Sequence, residues 1–203
     1  MHELFEWVKQ VGELQTKLKS IMNSYNKDSL YMSYVSSLCL EGICFYSGFF
    51  LPLYLAGQGK MIHSGEIINL IMRDEKLHTM ACGRFAQDIY DTFDEDTKKE
   101  YKEKAFEVIK KIYELELQYT HLLYDDLKLF DEVKTYVEFN VNYALSCLGF
   151  EKMFDIEETD VNPIVMNGYS IETKQHDFFS SKGNGYVVAT NVGKITDDLF
   201  IFE

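Results

Sequence analysis

Only two prolines, Pro52 and Pro163, occur in 203 residues, so most of the chain lacks the residue that most reliably ends an α-helix. Long helices are therefore permitted almost throughout, and the apolar residues recur at the period that helices need. Leu4, Val8, Val11, Leu14, Leu18 and Ile21 fall near one face and predict a helix over residues 1–24. Asn26-Lys27-Asp28-Ser29 reads as a turn, with Asp28 or Ser29 available to cap a helix over 30–56. Pro52 should kink that helix near its end, and Gly57-Gln58-Gly59 should stop it.

Ser64 is the expected cap of a third helix over 65–92. After Asp94-Glu95-Asp96, a stripe of Tyr101, Ala105, Val108, Ile112, Leu115, Tyr119 and Leu122 predicts a helix to 127. A shorter one over 131–148 should end at Gly149. The expected fold is all-α: a helical bundle over 1–155, then a weakly periodic tail over 156–203. The tail is either solvated and mobile or a linear peptide that orders on a partner, because Leu199, Phe200 and Phe202 are costly to leave in water. The second reading is favoured.

Charge narrows the partners. A net charge of -13 argues against a nucleic-acid surface and against attraction to anionic membranes. The longest apolar run, 43–57, is shorter than the ~20 residues of a spanning helix. Met1-His2-Glu3 opens no basic, apolar leader. Cys39, Cys44, Cys82 and Cys147 show no Cys-x-x-Cys spacing and read as reduced, buried thiols. Together these predict a cytoplasmic setting.

The third helix carries the chemistry. A seam through Ile68, Ile71, Cys82, Phe85 and Ile89 takes in Glu75 and His78. A buried ionised carboxylate needs compensation, and Glu-x-x-His on a helix aims both side chains at one centre. The preceding helix has a matching anomaly: its seam of Tyr34, Leu38, Phe45 and Phe49 includes Glu41. In an antiparallel hairpin about Gln58, Glu41 and Glu75 stand at the same height. Three oxygen and nitrogen donors then converge, which suits iron or manganese better than structural zinc. A buried Glu–His ion pair, or a solvated Glu-x-x-His, is the alternative.

Leu40-Glu41-Gly42-Ile43-Cys44-Phe45-Tyr46-Ser47-Gly48-Phe49, followed by Arg73-Asp74-Glu75-Lys76-Leu77-His78, resembles the small subunit of ribonucleotide reductase. The tail string of Asn162-Pro163, Asn167-Gly168-Tyr169-Ser170, His176-Asp177-Phe178-Phe179 and Lys182-Gly183-Asn184-Gly185-Tyr186 is similar to its manganese- or iron-using class Ib branch. The resemblance implies a ferritin-like bundle and a di-iron or di-manganese cofactor, with Glu41, Glu75 and His78 as ligands. It further implies radical transfer through Asp74 and Tyr186, and a radical-shielding pocket at Phe45, Phe49 and Ile71. Leu199, Phe200 and Phe202 would dock on the large subunit. A homodimer and a flavodoxin-like activator are implied as further partners.

The family also requires an aspartate, a second Glu-x-x-His and a radical-bearing tyrosine, and these precede the segment that matches Met1. Glu114, Glu116 and His121 do not replace them, nor do Glu3, Glu6 and Asp28. The resemblance thus covers the C-terminal two-thirds of such a subunit and half of its ligands. It implies bare apolar seams and an isolated chain without activity. An N-terminal polypeptide supplied separately would complete it; a remnant, or a decoy that occupies the large subunit through its tail, is the alternative.

Overall fold

The computed structural model describes Glu6, residues 8–25 and residues 29–169. The chain divides into two compact units, Met1–Glu172 and Thr173–Glu203, of which the second lies outside the described residues. The described part is helical: α1 (Gly12–Ser24), α2 (Leu30–Cys39), a π-helical turn (Leu40–Cys44), α3 (Tyr46–Gly57), α4 (Ile62–Tyr90), α5 (Glu95–Tyr124), α6 (Phe130–Cys147) and α7 (Pro163–Tyr169). A 3-10 turn at Glu158–Asp160 precedes α7.

Local chemistry sets most boundaries. Ser29 caps α2 by accepting from the Met32 amide, and Asp94 caps α5 by accepting from the Thr97 amide. Gly149, at φ +74°, ends the chain's path out of α6 in a conformation that a Cβ disfavours. Three expectations are corrected. The helix over 1–24 is interrupted at Val11, whose extended backbone makes α1 begin at Gly12. Ser64 does not cap α4: left-handed Met61 does, its carbonyl taking the amides of Ser64 and Gly65. The departure from α geometry between 30 and 57 is the π turn at Leu40–Cys44, while Pro52 sits inside α3.

The helices α2 and α3 pair with α4, which returns antiparallel after the Gly57–Gly59 turn. On the other flanks α1 lies along α5, and α6 packs against α3, α4 and α5. Val35, Leu38, Ile43, Phe50, Ile109 and Val141 are fully enclosed between them. Residues 158–169, expected in the tail, pack back onto the bundle: Val161 and Val165 are buried, and α7 lies against α3. The stretch Leu30–Gly57 is long and apolar enough to cross a membrane (mean hydropathy 1.5), longer than the 43–57 run alone suggests. More than half of that window is buried inside the bundle, as in the core helix of a folded domain.

One face of α4 differs from expectation. Its buried residues are Gly65, Asn69, Met72, Thr79, Gly83 and Ala86. The expected seam lies about 100° around the helix, one residue away, and there Ile71 is 38% and Phe85 51% exposed. Apart from Met72, small residues meet the neighbours: a Cβ built on Gly83 overlaps the Cys147 carbonyl oxygen and lies 2.8 Å from the carbonyl carbon. The apolar flank is half covered: Ile68, Glu75, Cys82 and Ile89 are half-buried, while Ile71, His78 and Phe85 are exposed.

Candidate metal centre

The π turn carries the first ligand candidate. An i→i+5 turn inside an α-helix is rare and shifts the register of everything after it by one residue. Glu41 is its second residue, and Gly42 lets it sit directly against α4. A Cβ on Gly42 would stand 2.9 Å from Thr79 Cγ2 and 3.3 Å from the Ala144 methyl. Thr79 in turn donates its hydroxyl to the Glu75 carbonyl at 2.7 Å, so the π turn and the turn of α4 that bears Glu75 are in contact.

The consequence is convergence. One ligand atom from each of Glu41, Glu75 and His78 lies within 4.8 Å of the others, and no other such group of three occurs among the described residues. Glu75 Oε2 is 3.0 Å from His78 Nδ1. The Glu75 side chain is largely shielded, while that of His78 is 59% exposed. Burial, followed by a hydrogen bond to Glu75 and that group's charge, pushes the Glu41 carboxyl up to about 7. The hydrogen bond to Glu75 raises the His78 imidazole above its usual value, with the charges of Glu75, Glu41 and Asp74 acting in the same direction.

These shifts describe a cluster short of positive charge. Glu41 holds a proton that water would remove, and an imidazole is drawn toward its cationic form. A divalent cation would meet the same demand by displacing those protons, so the donor set fits one hard or borderline metal ion.

Asp74, half-buried on the adjacent position of α4, contributes to the field at His78. Phe45 and Phe49 stand with ring centroids 6.1 Å apart and line an apolar groove of about 340 Å³ with Leu14, Leu18, Ile21 and Ile68. Ile71 is not on that lining; Ile68, one turn earlier and nearer α1, takes the position. Tyr186, Leu199, Phe200 and Phe202 lie outside the described residues.

Beneath the groove is a polar cluster that sequence reasoning did not find. Lys17, 5% exposed, places Nζ 2.5 Å from Glu116 Oε2 and donates to the Cys44 carbonyl at 2.5 Å. Glu116 is fully enclosed and accepts from the Ser47 hydroxyl, and Tyr124 donates to the Ser47 carbonyl at 2.5 Å. The sequence signal was Glu116 itself. It lies four residues from both Ile112 and Thr120, on the face a straight helix of period 3.6 turns inward.

Residues 1–163 match the family described as ribonucleotide reductase, small chain. The chain is 49% identical to the ribonucleoside-diphosphate reductase subunit beta of Bacillus subtilis, over all of this chain and 63% of that protein. It is 47% identical to the subunit beta of Bacillus phage SPbeta, over 62% of that protein's length. Among solved structures, the dimanganese(II)-NrdF of Streptococcus sanguinis superposes with a TM-score of 0.80 at 39% identity, covering 83% of this chain and 60% of that one. The fold is thus ferritin-like, and the chain spans just under two thirds of the length of these relatives. On this evidence the chain belongs to the ribonucleotide reductase small-chain family.

Proposed function

We propose that this chain supplies the C-terminal half of the two-metal centre of a ribonucleoside-diphosphate reductase small subunit, with Glu41, Glu75 and His78 as its ligands. The convergence of those three side chains at one depth carries the reading. A bound pair of iron or manganese ions would supply one-electron oxidising power. The remaining ligands and the radical-bearing tyrosine belong to the part of the relatives that the chain does not cover, on a preceding segment or a separate polypeptide. Exposed Ile71 and Phe85 on α4 and the groove at Phe45 and Phe49 are the surfaces such a segment would close.

Each residue has a distinct task in this reading. Glu41 gives up its proton to become a ligand beside Glu75, and His78 offers a ring nitrogen once neutral. Phe45 and Phe49 exclude water beside the radical position. Asp74 holds a hydrogen bond next to the ligands on the proton-coupled path, and Tyr186 passes the oxidising equivalent to the large subunit, on which Leu199, Phe200 and Phe202 dock. A homodimer of the complete subunit, a flavodoxin-like activator and a cytoplasmic setting complete the proposal.

Mn2+ titration followed by electron paramagnetic resonance tests it. The chain should take up Mn2+, and Glu75→Ala should abolish uptake both alone and in a complex with the missing part. Equal metal content in the variant would overturn the ligand assignment. A chain that captures the large subunit yet takes up no metal would instead be a decoy.

A further inference from the structure

The π turn at Leu40–Cys44 contains no residue that forces it: Leu40, Glu41, Ile43 and Cys44 are all at home in an α-helix, and Gly42 only permits the close approach to Thr79. Reversion to α geometry would rotate Glu41 by about 100° relative to α3, one residue's worth of turn, and swing its carboxylate away from Glu75 and His78. Something outside the turn must therefore hold its downstream end. The Lys17 ammonium is the group in place. It reaches from α1 across the bundle to the carbonyl of Cys44, the last residue of the turn, at 2.5 Å.

Two further groups fix the ammonium. Glu116 Oε2 is 2.5 Å away, the Tyr119 ring centroid 4.7 Å, and the whole residue is 5% exposed. Glu116 also accepts from Ser47, in the first turn of α3, so the pair grips the chain on both sides of the junction at Phe45. A lysine buried to this depth costs several kcal/mol unless paired. Its placement on a main-chain carbonyl at the end of an unusual turn gives that cost a purpose.

We infer that Lys17 is a positioning residue for the metal centre, locking the π turn that aims Glu41 at Glu75 and His78. The inference rests on the reading of those three as ligands, and the test separates the two. Lys17→Met alone would strand the Glu116 charge and could unfold the chain. The informative variant is therefore Lys17→Met with Glu116→Leu, which removes the pair together. Tyr113→Phe with Glu138→Gln is the control, since it removes a buried polar pair joined at 2.6 Å elsewhere, between α5 and α6.

Two quantities are measured on the full 203-residue chain: Mn2+ affinity, and amide hydrogen exchange over residues 44–49. The Lys17/Glu116 double variant should stay helical, bind Mn2+ at least tenfold more weakly and exchange faster over 44–49. The control pair should stay within threefold of wild type in affinity, with unchanged exchange in that segment. Wild-type affinity or unchanged exchange in the double variant would overturn the inference and leave the metal reading intact. Equal Mn2+ binding by wild type, Glu41→Gln and Glu75→Gln would overturn the metal reading, and the inference with it.

Discussion

Two glycine-to-alanine substitutions in this chain should change stability in opposite directions, and the structure gives both signs. Gly48 lies inside α3 with nothing within 4 Å of an added Cβ. Alanine there removes the backbone entropy penalty of a helical glycine and should stabilise by about 0.5–1 kcal/mol. Gly83 lies inside α4, where the same methyl overlaps the Cys147 carbonyl and stands 2.8 Å from Cys147 Cβ. That carbonyl also accepts from the Gln87 amide at 2.7 Å. Forcing α4 and α6 apart costs roughly 1–3 kcal/mol, and straining the Gln87 bond about 1 more. Set against the same helical gain, the net loss is about 2 kcal/mol. For a domain of this size each kcal/mol moves Tm by roughly 2–4 °C. Thermal melts followed by circular dichroism should therefore show Gly83→Ala lower by about 4–8 °C and Gly48→Ala higher by about 1–4 °C. A Gly83→Ala chain as stable as Gly48→Ala would refute the close contact of α4 with α6, and with it the argument that small residues set the buried face of α4.

The other predictions concern the ligand cluster and the end of the bundle. Folded Glu41 binds its proton up to about pH 7, whereas the unfolded group releases it near 4.3. The stability this contributes is full below pH 4 and is lost as pH rises toward 7. His78, also raised, acts in the same direction. Metal-free melts in chelator should fall in Tm across that window, and Mn2+ affinity should climb across it; Glu41→Gln should flatten both, and a flat wild-type profile would contradict the proton held on Glu41. Gly42→Ala should weaken Mn2+ binding about tenfold, or ~1.4 kcal/mol, because Thr79 cannot yield without disturbing the Glu75 turn; undiminished affinity would show that the π turn has room. Asn142 bonds the Met153 and Phe154 amides and the Phe154 carbonyl. At about 1 kcal/mol each, Asn142→Ala should lose about 2–3 kcal/mol and speed tryptic cleavage at Lys152, and a resistant variant would count against that tether.

The helices were legible because their punctuation is local: Ser29, Asp94 and Gly149 act on their own neighbours. The convergence of Glu41, Glu75 and His78 was legible because a hairpin about Gln58 is simple geometry. The face of α4 was not. Ile71 and Phe85 outweigh Gly65, Gly83 and Ala86 on any hydrophobic reading, yet the small residues make the helix contacts. The π turn leaves no mark in composition, since four ordinary helix residues and one glycine adopt it. Glu116 stood on the inward face of α5, but Lys17 is an unremarkable charge on an amphipathic helix until folding brings the two together.

The pairing of α1 with α5 has a consequence in time. Lys17 and Glu116 are 99 residues apart in the chain, so at a synthesis rate of about 5–20 residues per second the lysine waits roughly 5–20 s for its partner. Through that interval Lys17, Ser20 and Ile21, all buried in the folded chain, have the surface of α5 that α1 will lie along still unmade. Although α1 is made early, it is thus among the later helices to be secured, and the nascent polypeptide stays open to chaperones and to its own copies until α5 has been translated.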